Sequence, residues 1–151
     1  MTNCAEASSS AQPYRQTHAL SGTAQFTARG AVHPMQAMLN YAIGVLTGRM
    51  TRVVIAGGFD ASFGFLHDGK KPGRLSLVWD AVEPHRPGLV RAVFQYAEGR
   101  AFKRYDFGIF ANDGVGLLPP LAKEVAGLTV RTVTLKDMVK TVDWIVGLIK
   151  T

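Results

Sequence analysis

His33-Pro34-Met35-Gln36-Ala37-Met38-Leu39-Asn40-Tyr41-Ala42, running on through Ile43 to Ala56 and closing at Gly57-Gly58, is the stretch that decides the fold class. Met35, Met38, Leu39, Ala42, Leu46, Met50, Val53 and Val54 recur at the spacing that lines one face of a helix. Pro34 suits the first helical turn, where its missing N–H leaves nothing unsatisfied, and the glycine pair is a helix stop. The pattern predicts one helix over 35–56. Gly44 and Gly48 weaken it, and Arg52–Ala56 taken alone also reads as a short strand.

Downstream, Phe59 to Arg74 carries Gly64, Gly69, Pro72 and Gly73 and reads as a loop. A second helix is expected from Leu75-Ser76, broken or kinked where it meets Pro84 and Pro87. Beyond them Leu89, Val90, Val93, Phe94 and Ala97 resume helical spacing, and Asn112-Asp113-Gly114 is a turn signal. Pro119-Pro120 predicts a short helix to about Ala126, ended by Gly127. Thr129–Thr134 alternates Thr and Arg with Val and reads as a strand, although no partner strand is evident. The last helix is the clearest. Thr134 and Asp137 resemble a capping box, and Leu135, Met138, Val139, Val142, Ile145, Val146 and Ile149 supply its apolar face. Upstream, Ser8, Ser9, Ser10, Pro13, Ser21 and Gly22 interrupt any apolar face, so residues 1–32 read as a weakly structured lead-in or a truncated helix. The fold class is mainly α, with the helical domain over 33–151.

The 151 residues make one ordinary domain, and a 47% hydrophobic, 19% charged composition belongs to a folded chain. Seventeen Lys+Arg against eleven Asp+Glu leave a net charge of +6, which points to a polyanionic partner. A single cysteine, Cys4, excludes a disulfide framework and a cysteine-based zinc site and suits a reducing compartment. No apolar run approaches the ~20 residues of a membrane span, and the first thirty residues lack the apolar core of a secretory signal. The expected location is the cytoplasm, with no membrane partner.

Few constellations can carry chemistry. His67 and Asp80 stand thirteen residues apart, on either side of the basic turn Lys70-Lys71-Pro72-Gly73-Arg74. Imidazole and carboxylate converging there suit Mg²⁺ or Mn²⁺ in a phosphate site better than a closed zinc site, with the cations holding phosphate. The same spacing fits a surface-loop histidine and a solvated or hydrogen-bonded aspartate. Lys70, Lys71, Arg74, Arg86 and Arg91 form either a strip for a nucleic-acid backbone or a solvated charged surface. Glu83 and His85 are either further ligands or exposed residues at a proline kink. No Gly-x-Ser-x-Gly elbow, dinucleotide fingerprint or P-loop occurs.

Three successive motifs resemble one family, the CRISPR-associated adaptation endonuclease, the integrase that inserts new spacers. His33–Ala42 is similar to its asparagine-tyrosine helix start, Gly58–His67 to its "G-L-D-P-x-x-G-F-L-H" loop, and Arg74–Pro87 to its "R-x-S-L-x-x-D-L-M-E-P-x-R-P" helix. Phe102–Phe107 and Gly114–Ala126 resemble its C-terminal stretches, so the likeness runs over about Val32–Ile149. The resemblance implies a largely helical C-terminal catalytic domain in which His67 and Asp80 bind Mg²⁺ or Mn²⁺. It implies phosphoryl transfer on DNA, double-stranded or branched, in which a 3′-OH attacks a phosphodiester. Lys70, Lys71, Arg74 and Arg86 would be the DNA-binding residues. It further implies a homodimer and a small second CRISPR adaptation protein as partner.

The departures are equally specific. The family's β-rich N-terminal domain has no counterpart in these 151 residues. The third metal ligand of the family is a glutamate on a preceding helix, and here the only acid before Asp60 is Glu6. Glu6–Tyr14 is a degraded counterpart of that helix: Pro13 lies inside it and Arg15 replaces a tryptophan. Two expectations follow, a shortened metal-dependent endonuclease/integrase using His67, Asp80 and Glu6, or a catalytically impaired DNA-binding or dimerisation remnant of the same family.

Overall fold

The computed structural model describes residues 31–64, 66, 75–110 and 114–149. Glu6, His67, Lys70, Lys71, Arg74, Asn112 and Asp113 lie outside the described residues, as do residues 1–30 of the expected lead-in.

The expected first helix is α1, Pro34–Ala56. His33 caps it in extended conformation, its Nδ1 accepting the Met35 N–H at 3.2 Å, and Pro34 takes the first turn. The helix runs unbroken through Arg52–Ala56, so the short-strand reading of that segment is wrong. It ends as expected at Gly57, followed by Gly58 with φ +74°, a left-handed conformation that only glycine adopts without strain. Met38, Ala42, Leu46, Met50 and Val54 are buried along one stripe, each four residues from the last. Met35, Leu39, Tyr41, Ile43 and Val53 pack beside that stripe. This breadth follows from position: α1 is the central helix and touches all the other helices. A fully buried Leu or Met side chain of this kind contributes ~1.5–3 kcal/mol.

The prolines act as expected. Helix α2, Ser76–Val82, gives way to a 3-10 turn over Glu83–His85, and α3, Arg86–Glu98, restarts with Pro87 in its first turn. After a second 3-10 turn, Arg104–Asp106, comes an antiparallel hairpin where the sequence signals only a turn at Asn112-Asp113-Gly114. Strands β1, Phe107–Ile109, and β2, Val115–Leu117, pair with Gly108 opposite Gly116. Three-residue strands with a central glycine carry almost no alternation to read. The hairpin is held from outside by Ala31, whose carbonyl accepts the Val115 N–H at 2.8 Å, and from within by the Phe110 ring, which lies over Gly116, where any Cβ would collide with it.

Two further expectations fail in α4, Pro119–Thr132. Gly127 does not stop this helix, and Thr129–Thr134 is not a strand. Leu121, Val125 and Thr129 are fully buried at four-residue spacing in a helix packed on α1 and α3. That burial outweighs the ~1 kcal/mol that a mid-helix glycine costs. The β-branched threonines are accommodated because Thr129 and Thr132 donate their hydroxyls to the carbonyls of Val125 and Leu128, each at 2.9 Å. Helix α5, Leu135–Ile149, begins with the expected capping box: Asp137 Oδ2 accepts the Thr134 N–H at 3.1 Å, and Thr134 Oγ1 accepts the Asp137 N–H at 3.3 Å. The architecture is mainly α, as the sequence implied, and among the described residues no helix is long and apolar enough to cross a membrane.

Candidate functional site

Helix α2 is short and almost wholly buried. Ser76, Leu77, Val78, Asp80, Ala81 and Val82 all face inward, and two of these six carry polar side chains. Asp80 is 4% exposed. Burying a carboxylate is costly unless hydrogen bonds replace its water, and one of its partners is the main chain of the preceding loop: Leu66 N donates to Asp80 Oδ2 at 2.9 Å. Ser76 lies one helical turn before Asp80, on the same side of the helix. It is fully buried, and its hydroxyl has no hydrogen-bond partner among the described residues.

The loop is shaped before it reaches Asp80. Phe59 N donates to Val54 O at 3.1 Å, continuing from the end of α1. Asp60 Oδ1 then accepts both the Ser62 N–H at 2.9 Å and the Ser62 hydroxyl at 2.7 Å, an Asx turn. These two donors hold the Asp60 carboxyl below the usual carboxylate range. Leu77 N donates to Ala61 O at 3.1 Å, tying the loop to the start of α2. The loop is therefore fastened to α2 twice, at Ala61 and at Leu66, and Leu66 immediately precedes His67 in the sequence.

The other expected site residues are distributed as follows. Arg86 Nη1 meets Glu83 Oε1 at 2.7 Å on the surface, with side chains 43% and 36% exposed. Such a pair is worth about 0–1 kcal/mol, which leaves the guanidinium available to an anion. His85 is neither a solvated residue nor directed at Asp80. Its Nε2 lies 2.9 Å from Thr141 Oγ1, which in turn donates to Asp137 O at 3.0 Å, so His85 ties the α2–α3 junction to α5. Partial burial there lowers its pKa, opposed by the nearby Asp137 carboxylate. Among the described residues no group of three or more His, Cys, Asp or Glu side chains converges.

A second polar cluster, which no sequence motif marks, lies at the end of α3. Asp106 is 1% exposed and pairs with Arg100 Nη2 at 3.2 Å. Arg100 also bonds Glu124 and the Tyr96 hydroxyl. Desolvation and the Glu124 hydrogen bond push the Tyr96 phenol up to about 12. The cluster joins α3 to α4 across the 3-10 turn at Arg104–Asp106. An open cleft of about 540 Å³ runs between α1 and α5, lined by Arg52, Val53, Phe59, Met138, Val139 and neighbouring residues. Asp80 is not in its wall.

The family model described as "CRISPR associated protein Cas1" matches residues 14–128. The chain is 38% identical over 68 residues to the CRISPR-associated endonuclease Cas1 of Korarchaeum cryptofilum, an alignment covering 45% of this chain and 20% of that protein. It is 33% identical over 108 residues to a CRISPR-associated endonuclease Cas1 of Pyrobaculum aerophilum, covering 66% of this chain and 35% of that one. The chain thus spans about a fifth to a third of the length of these two relatives. Among solved structures, a casposase bound to its integration product superposes with a TM-score of 0.64 at 28% identity, over 70% of this chain and 30% of the casposase. With a family model matched across most of its length, and with the helical fold of the casposase, this chain belongs to the Cas1 family of CRISPR-associated proteins.

Proposed function

We propose that residues 33–151 form a metal-dependent DNA endonuclease/integrase domain, preceded by a lead-in over 1–32. In this reading His67 and Asp80 hold one Mg²⁺ or Mn²⁺, and Glu6 supplies a third ligand. The observation that carries it is Asp80: a residue 4% exposed on α2, its carboxylate bonded to the Leu66 amide at the end of the loop that leads into His67. A carboxylate and an imidazole are donors of the right hardness for these cations, and Mg²⁺-type sites complete their shells with water and substrate phosphate. The buried Ser76 hydroxyl one turn away, without a hydrogen-bond partner among the described residues, fits a site that receives a further polar group.

Bound there, the cation supplies Lewis acidity at the scissile phosphate. Asp80 and His67 fix its position, and the Ala61 and Leu66 hydrogen bonds keep loop and helix from drifting apart. Lys70, Lys71, Arg74 and Arg86 neutralise the flanking DNA phosphates. The reaction is an in-line displacement: a DNA 3′-OH forms the new P–O bond, the 3′-oxygen of the target strand leaves, and a proton passes from nucleophile to leaving group. Hydrolysis is the same step with water as nucleophile. A homodimer and the small second adaptation protein belong to this reading, as does double-stranded or branched DNA.

The test is cleavage and strand joining on branched DNA with Mn²⁺, comparing the chain with His67→Ala and Asp80→Ala. Loss in both variants is expected. Unchanged rates in both would overturn the metal assignment. DNA binding with no activity in any of the three would favour the catalytically impaired binding remnant.

A further inference from the structure

Residues 100–107, Arg-Ala-Phe-Lys-Arg-Tyr-Asp-Phe, interleave three cations with three aromatic rings and contain one acid. The acid is turned inward. Asp106 is 1% exposed, accepts the Lys103 N–H at 2.8 Å and the Arg100 guanidinium at 3.2 Å, and its own carbonyl accepts the Leu118 N–H at 2.9 Å. These bonds close the 3-10 turn and neutralise its one acid from within; Arg100 is shared with the half-exposed Glu124 of α4, which leaves Phe102, Lys103, Arg104 and Tyr105 as the outward groups of the turn. Tyr105 is 59% exposed and Phe102 39% exposed, while Lys103 and Arg104 are both exposed. The Lys103 ammonium sits 5.6 Å from the Tyr105 ring centroid, and Phe107 backs Phe102 with ring centroids 5.4 Å apart.

We propose that this turn is a stacking platform for unpaired bases of single-stranded DNA, with Tyr105 and Phe102 offering ring faces and Lys103 and Arg104 meeting the backbone phosphates. Large rings left exposed on a rigid turn are costly unless something covers them. Bases that are not already stacked in a duplex can do so, whereas duplex DNA presents a charged backbone and needs no rings. A protein partner fits less well, because interface cores are depleted in lysine. The choice of DNA over RNA rests on the reading given under Proposed function; the platform itself does not depend on the metal site.

The experiment is fluorescence anisotropy of the full chain with a labelled oligothymidylate of about 15 nucleotides, its duplex, and the matching oligouridylate, all in a chelator. Tyr105→Ala is expected to weaken oligothymidylate binding about tenfold, the range found for loss of a stacking ring. Tyr105→Phe should restore it, and duplex binding should hardly change. Replacing Lys103 and Arg104 with Gln should flatten the salt dependence by about 0.7 per lost phosphate contact. Equal losses on single strand and duplex would mark a purely electrostatic surface and overturn the proposal. Tyr105→Ala without effect on any nucleic acid would leave the rings to a protein partner and overturn it too. A loss confined to oligouridylate would overturn the assignment to DNA. The same titration with Asp80→Ala separates the two readings: intact Tyr105-dependent binding alongside lost strand joining supports both, and intact binding with joining unaffected sinks only the metal site.

Discussion

The main-chain N–H of Leu66 donates to Asp80 Oδ2 at 2.9 Å, joining the glycine-rich loop to the buried face of α2. The bond does two things. It compensates part of the desolvation of the carboxylate of Asp80, a residue 4% exposed, and it sets the point at which the chain enters the segment beginning with His67. A second bond, Leu77 N to Ala61 O at 3.1 Å, anchors the other end of the same loop.

Asp80→Asn separates charge from shape. The amide oxygen remains an acceptor for Leu66, so unfolding in urea should show a stability loss below about 2 kcal/mol. If Asp80 holds the cation as proposed, strand joining with Mn²⁺ should nevertheless disappear, because a neutral amide is a poor ligand for a hard cation. A folded Asp80→Asn chain that still joins strands would remove Asp80 from the chemistry.

Glycine substitutions should split by sign. Gly48 is exposed in mid α1 with nothing within 4 Å of a new Cβ, and at Gly127 a Cβ would meet only the flexible end of Arg131. Gly48→Ala and Gly127→Ala should each stabilise by about 0.5–1 kcal/mol. Gly58→Ala should destabilise by about 1–2 kcal/mol, since φ there is +74°. Thermal melts read all three, and a destabilised Gly127→Ala would show that the space beside Arg131 is needed for something else.

Thr134→Ala removes the cap of α5. Its hydroxyl both accepts the Asp137 N–H and donates to Asp137 Oδ2 at 2.6 Å, and these contacts hold the Asp137 carboxyl below its ordinary range. A cost of about 1 kcal/mol is expected. Because that pKa is depressed in the fold, the advantage over Thr134→Ala is present at neutral pH and shrinks as acid protonates Asp137. An advantage that stays constant into acid would count against the carboxylate's part in the cap.

His85 gives the fold a pH dependence of opposite origin. Burial lowers its pKa below the ordinary 6.5, so the unfolded chain binds the proton more readily than the native one. Its contribution is therefore complete above that value and is lost as pH falls below it. Denaturant midpoints at about pH 5 and about pH 7.5 should differ more for the natural chain than for His85→Gln. Equal differences would mean that His85 is not desolvated in the native fold.

The elements that rest on near neighbours were legible in the residues themselves. The stripe from Met38 to Val54, the proline break at Pro84 and Pro87, and the Thr134–Asp137 cap all depend on contacts within one or two helical turns, so their sequence pattern is their cause. Asp80 was singled out by its place in a motif rather than by local contacts, and its burial and its bond to Leu66 come from the tertiary structure. What tertiary structure decided is everything set by partners far along the chain. Helix α4 continues through Gly127 because Leu121, Val125 and Thr129 are buried against helices distant in sequence, which local propensity cannot register. His85 finds Thr141 across 56 residues, and Arg100 finds Glu124 across 24. The hairpin of Gly108 and Gly116 is held from outside by Ala31 and by packing of β2 on α1, since two three-residue strands have little pairing energy of their own. Local hydrogen bonds and periodicity are written into adjacent residues; burial and charge pairing exist only once separate segments meet, and that meeting determines which polar groups are hidden and which rings remain in solvent.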